Sequence, residues 1–233
     1  MNAEFIINEL QSVGTPAKAA HLQKFFKTGP GQYGEGDVFI GVVVPHTRSI
    51  AKVNMGMPMT EIRLLLKSKY HEARLCGLLM LTERFKKAAE KERKEIFDFY
   101  LKNASCANNW DLVDLSCSTI VGVYLLNKER KILYKLAESE CLWEQRIAIV
   151  STYSFIRENE FHDTLELSKK LLTHKHDLMH KAVGWMLREV GKRDRRTLTD
   201  FLEEYATKLP RTTLRYAIEH YPEPERQYFL KKK

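Results

Sequence analysis

Trp143-Glu144-Gln145-Arg146-Ile147-Ala148 superimposes on His71-Glu72-Ala73-Arg74-Leu75-Cys76 and, in the same register, on Leu178-Met179-His180-Lys181-Ala182-Val183. Asp114 falls in this register between Arg74 and Arg146, so the successive spacings are 40, 32 and 35 residues. Helix-pair repeats of the HEAT and armadillo kind recur at about 40 to 47 residues. One match could be chance, but three in helical context argue for stacked helix pairs. The expected fold is therefore all-α, a HEAT-like helical-repeat solenoid (an α–α superhelix) with an extended concave face. An irregular all-α bundle is the alternative.

Outward from these segments the chain reads as helix almost without interruption from Met59. Apolar residues at 3.6 periodicity and short polar joints predict helices at 60–67, 70–86, 90–104, 110–126, 129–138, 143–157, 161–173, 177–190, 195–207, 210–220 and 223–231. Such short joints force neighbours to pack antiparallel. Upstream, 3–13 and 16–27 read as two helices, with Thr15 as cap and Pro16 in the first helical position. The reading is one domain, 1–233, in which 1–58 holds N-terminal helices and a Gly-rich connector and 59–233 holds the repeat array.

Five of the eleven glycines lie between Gly29 and Gly41. Neither the Gly-x-x-x-x-Gly-Lys-Ser/Thr loop nor a Gly-rich strand-to-helix turn occurs there. The segment reads as a connector needing unusual backbone angles. Val38 to Val44 is the one β-branched run, and a lone strand has no partner. It is read as an extended or partly helical entry to Pro45, with a helix beginning over His46 to Asn54.

With 233 residues and 27.2 kDa, the chain can bury a full core. Its net charge of +8 favours polyanions or anionic surfaces and is silent on fold. No run approaches 18 apolar residues, which excludes a transmembrane helix, and Met1-Asn2-Ala3-Glu4 has no signal-peptide form. Cys76, Cys106, Cys117 and Cys141 fit no metal spacing and read as reduced cytosolic thiols, several of them buried. The expected location is cytoplasmic.

Asn108-Asn109-Trp110-Asp111-Leu112-Val113-Asp114 opens the 110–126 helix, with Asn108 as N-cap and Asp111 in the capping-box position. Leu112, Leu115, Thr119, Val123 and Leu126 form its expected core stripe. Trp110 and Asp114, four residues apart, share a different face. The repeat register then lines up Asp114, Arg146 and Lys181, with Trp110 one turn before Asp114 and Trp185 one turn after Lys181. Core packing is the plainer reading of Trp185, and Trp143 either joins the row or plugs the core. Asp114 and Arg146 could simply pair. Basic residues gather at Lys86, Lys87, Lys91, Arg93 and Lys94, where acidic neighbours dilute them. They gather again at Lys192, Arg193, Arg195 and Arg196, and at Lys208, Arg211 and Arg215, a set suited to phosphates. Arg188 is read as pairing with Glu189. His-Glu-x-x-His, Gly-x-Ser-x-Gly and zinc-finger spacings are absent from the sequence.

The motifs at 108–114, at 143–148 and at Lys181-Ala182-Val183-Gly184-Trp185-Met186-Leu187-Arg188-Glu189 resemble the DNA alkylation repair family, the AlkD-like alkylpurine DNA glycosylases. So does Gly31-Gln32-Tyr33-Gly34-Glu35-Gly36-Asp37 with its continuation to Arg48. The resemblance covers essentially the whole chain, in order. It implies HEAT-like repeats curved around duplex DNA by a concave basic face. It also implies excision of cationic N3- and N7-alkylated purines without metal, cofactor or base flipping. Carried over by motif, Asp114 is the catalytic carboxylate, Trp110 and Trp185 its aromatic partners, and Arg146 the residue near the lesion's backbone. Arg188, Arg193, Arg195, Arg196, Lys208, Arg211 and Arg215 become DNA contacts. Some members carry a second aromatic where this chain has Asn109.

The chemistry suits these residues. A cationic purine leaves as a neutral base, so charge builds on the deoxyribose, where an ionised Asp114 stabilises it and orients water. Tryptophan faces attract the same cation. The expected enzyme is a monomer acting on duplex DNA. Two other classes remain open: a non-catalytic DNA-binding repeat protein, and a helical scaffold with tryptophans as peptide anchors.

Overall fold

The computed structural model describes residues 2–232; Met1, part of the signal-peptide reading, and Lys233, part of the basic end, lie outside them. The architecture is all-α and repeat-like, and among the described residues there is no sheet. The helices gather into two compact units, residues 1–120 and 121–233.

In the first unit the helices are α1 (Ala3–Val13), α2 (Pro16–Phe25), α3 (Val44–Val53), α4 (Met59–Leu66), α5 (His71–Lys87), α6 (Glu90–Lys102) and α7 (Trp110–Asp114). Every residue of α5 from His71 to Thr82 is buried, because α1, α3, α4, α6 and α7 all pack on it. A helix enclosed on all sides has to satisfy its polar residues internally, and α5 carries His71, Glu72 and Arg74. Thr15 caps α2 with Pro16 in its first turn, as the sequence predicts. The β-branched run is an extended entry. Val38 makes one isolated parallel bridge with Tyr70, and α3 begins at Val44 rather than His46, with Pro45 in its first turn.

The connector's glycines earn their unusual angles. Gly31, Gly36 and Gly41 have positive φ, and a Cβ on Gly41 would sit 2.2 Å from the Thr15 carbonyl oxygen. The close pass brings the N–H groups of Ile40, Gly41 and Val42 onto the Glu72 carboxylate at 2.9, 2.8 and 3.2 Å. This buried glutamate therefore anchors the connector to α5.

The second unit holds α8 (Lys131–Ala137), α9 (Leu142–Ser151), α10 (Tyr153–Arg157), α11 (His162–Lys170), α12 (Asp177–Arg193), α13 (Arg195–Tyr205), α14 (Arg211–Ala217) and α15 (Glu223–Lys231). Here α12 is central, packed by α9, α10, α11, α13 and α14. Its contact with α14 is close at Gly184, where a Cβ would lie 2.7 Å from the Thr213 carbonyl oxygen. The three matching hexapeptides fall on α5, α9 and α12.

Two expected helices are broken, and a hydroxyl bonds back to a carbonyl at each break. The 110–126 helix stops after Asp114 and resumes as a π-helical segment, Ser118–Gly122. Ser116 Oγ donates to the carbonyl of Leu112 (2.6 Å), and its N–H bonds Val113 (3.1 Å) instead of Leu112. The core stripe shifts accordingly. Leu112, Val113, Cys117, Ile120, Val121 and Leu125 are buried, whereas Val123 is exposed and Leu115, Thr119 and Leu126 only half-buried. Thr152 splits 143–157 in the same way, its Oγ1 donating to the Ile149 carbonyl at 2.7 Å.

Candidate active site

A cavity of about 440 Å³ opens in the first unit. Its walls are mainly apolar, from Phe25, Phe26, Phe39, Val42 and Leu75, and its polar edge includes Asp111 and Asp114. Trp110 lines it as well. Trp110 and Asp114, half-buried at either end of the five-residue α7, thus face the same space.

The start of α7 is set by side chains from elsewhere. Asn109, with no exposed surface, is the N-cap, correcting the assignment to Asn108. Its Oδ1 accepts from the Trp110 N–H at 2.8 Å, while its Nδ2 donates to Asp37 Oδ2 at 3.1 Å. Asp111 forms no capping box. One of its oxygens accepts from the Leu112 N–H (2.9 Å) and the other meets His71 Nε2 (2.9 Å). His71 Nδ1 in turn meets Asp37 (3.0 Å), and Arg74 donates to Asp37 as well as to the Ser68 carbonyl (2.8 Å). A buried chain of alternating charge, Arg74–Asp37–His71–Asp111, therefore ties connector, α5 and α7 together.

Aromatic rings stack over this network. Phe26 lies on Trp110 (5.2 Å between centroids, 27° between planes) and on Phe39 (5.1 Å, 16°), and Phe39 lies on His71 (4.4 Å, 23°). Trp110 Nε1 also donates to Tyr33 Oη at 3.3 Å. The sequence reading singled out none of Asp37, His71, Phe26 or Tyr33 for a role beside α7.

Burial alone would favour a neutral His71, but hydrogen bonds and charge from Asp111 and Asp37 outweigh it and raise the ring to about 9. Asp37 is also penalised by burial, yet His71, Arg74 and Asn109 hold it below the usual carboxylate range. The imidazolium adds stability that is complete below its ordinary value of 6.5 and lost as pH rises through about 9. The lowered Asp37 acts oppositely, its contribution fading as pH falls through its folded value. We expect the urea midpoint to decline between about pH 6.5 and 9 in wild type, by an amount worth about 3 kcal/mol, and to be flatter there in His71→Gln.

In the second unit Arg146 is 5% exposed, and its Nη1 donates to the Leu178 carbonyl at 2.6 Å. Of the residues expected in a charged row, Arg146 is buried while Asp114 and Lys181 are half-buried. Its register mate Arg74 is buried likewise and also holds a main-chain carbonyl. Trp143 is buried in the core, whereas Trp185 is half-buried, donates to Glu189 (3.2 Å) and lies 6.1 Å from the Tyr153 ring.

The basic residues are mostly engaged. Arg188 pairs with Glu219 as well as Glu189, Arg195 with Glu225 (2.5 Å), and Arg196 with Asp200 (3.8 Å). Arg211 donates to the Leu230 carbonyl (2.9 Å), Lys208 sits over the Tyr205 ring, and Arg193 and Arg215 are exposed. The diluted first cluster is paired too, Lys86 with Glu83 and Lys94 with Asp98. Exposed pairs of this kind are worth little and can exchange for phosphate. All four cysteines are free thiols, Cys76 and Cys117 buried. Among the described residues no cluster of His, Cys, Asp or Glu is arranged to hold a metal, and no helix is long and apolar enough to cross a membrane.

Residues 6–221 match the protein family described as DNA alkylation repair enzyme. A solved structure described as a predicted DNA alkylation repair enzyme from Enterococcus faecalis aligns with a TM-score of 0.71, covering 90% of this chain and 97% of that one at 16% identity. At that identity the likeness speaks to the fold. No curated protein matches.

Proposed function

The chain belongs to the DNA alkylation repair enzyme family, and from that premise we propose that it is a DNA glycosylase hydrolysing the N-glycosidic bond of cationic N3- and N7-alkylated purines in duplex DNA. The observation that carries the proposal is the sharing of one apolar cavity by Trp110 and Asp114. Asp111, the neighbouring carboxylate, is engaged by His71 and the Leu112 N–H. Asp114, the carboxylate the motif match makes catalytic, lines the mainly apolar cavity beside Trp110 and is the group assigned to the deoxyribose cation, in surroundings where charge acts strongly. Trp110 offers its face to the same cation. The leaving group already carries positive charge, so no general acid is required. The hydrolysis needs no lysine nucleophile, so no lyase step is expected, although Lys18 lines the cavity.

The roles of Trp185 as second aromatic partner and Arg146 as backbone contact rest on the motif match. The same holds for a concave basic face, for residues 1–233 forming one domain with its repeat array at 59–233, and for excision without base flipping. A base-release assay on methylated duplex DNA, with wild type and Asp114→Asn in parallel, tests the proposal.

DNA affinity comes from Arg188, Arg193, Arg195, Arg196, Lys208, Arg211 and Arg215 in this reading. Binding to undamaged duplex should weaken steeply with salt, and neutralising six phosphates corresponds to a log–log slope of about −5. Replacing Arg193, Arg195 and Arg196 with Gln should flatten that slope without changing the circular dichroism spectrum. Binding indifferent to salt would favour the protein-scaffold reading.

A further inference from the structure

The connector between α2 and α3 lends Phe26, Phe39 and Val42 to the cavity wall, and its polar side chains reach the start of α7 at two further points. We propose that it is a brace for the reacting groups, with Tyr33 as a positioning residue that fixes the Trp110 indole. The inference rests on the glycosylase reading for its consequence, but not for its geometry.

A five-residue helix makes few hydrogen bonds of its own and has little intrinsic power to fix a side chain. Here Ser116 withdraws the next turn as well. The direction of Trp110 must then be imposed from outside. Phe26 supplies one flat support, but a stacked ring can slide and turn in its plane. The hydrogen bond from Nε1 to Tyr33 Oη fixes that remaining rotation. Asn109 meanwhile ties the backbone of α7 to Asp37 in the same connector. Tyr33 lies between Gly31 and Gly36, whose positive φ values shape the turn that presents it. Its side chain is only half-buried, and its hydroxyl can be removed without opening the core.

Tyr33→Phe keeps the ring and deletes the acceptor. Three measurements on full-length protein decide the matter: the Trp110 indole Nε1–H resonance, single-turnover base release at saturating enzyme, and DNA affinity with thermal melting. Only three tryptophans are present, so the Trp110 indole signal is assignable through Trp110→Phe. The expected result is a shifted, faster-exchanging Trp110 indole proton and a release rate lower by about fivefold, with affinity and melting temperature unchanged. An unchanged indole signal overturns the brace. A changed signal with a wild-type release rate overturns its role in positioning. If wild type releases no base, the glycosylase reading fails and the rate consequence with it, while the indole signal still decides whether the brace exists.

Discussion

Asp114→Asn is expected to slow release of N7- and N3-alkylated purines by about 10²–10³, while DNA affinity stays equal or rises slightly. Asparagine keeps the shape and hydrogen-bonding capacity of the side chain and removes its charge. Loss of one preorganised group facing a developing charge costs on the order of 3 kcal/mol. In the ground state that same charge repels phosphates, so losing it should not loosen the complex. Trp110→Ala should cost less, since its ring supplies only part of the surface around the sugar. The opposing account makes Asp114 a structural ion-pair partner. Its substitution would then lower the melting temperature, and release measured well below melting would survive. Single-turnover rates with melts on the same samples separate the two, and a stable variant retaining more than about a third of the wild-type rate contradicts the electrostatic role.

The second large effect concerns stability. Asp37→Ala should destabilise the fold by about 3–5 kcal/mol, because it leaves Arg74 and His71 buried with a shared counter-charge removed and strands Asn109 Nδ2. For a chain of this size that corresponds to a melting temperature lower by about 6–20 °C. The difference from wild type should narrow above about pH 9, where wild-type His71 has lost its proton and the stability that came with it. Denaturant titrations at pH 6.5 and 9.5 check both statements. A change below about 1 kcal/mol would mean that the network is well solvated or that the chain rearranges around the gap.

Much of the fold could be read from periodicity, since most expected helices lie within a few residues of the observed ones. The failures are local, and both fall beside a back-bonded hydroxyl, although Thr82 and Ser168 make the same bond inside unbroken helices. Ser116 and Thr152 bond backward to carbonyls, and a pattern of apolar spacing carries no record of that competition. The neighbourhood of Trp110 and Asp114 was legible because four residues separate them on one helical face. What completes it was not. Asp37, His71 and Asp111 are spread over 74 positions of sequence, and a buried charge chain assembled at such separations has no local signature. The glycines around Tyr33 and Asp37 did signal constrained backbone, though not what the constraint would hold. The register places Arg146 on its helix but does not convey its burial, nor the hydrogen bond from Nη1 to the Leu178 carbonyl.

The central claim is that this protein removes purines whose leaving group is already cationic, without supplying a proton. Its most direct test is single-turnover release from otherwise identical duplexes carrying either N7-methylguanine or the neutral base hypoxanthine. The account predicts release of N7-methylguanine well above the spontaneous rate, with hypoxanthine indistinguishable from the enzyme-free control. No acceleration on the cationic base, or comparable rates on both, would contradict it.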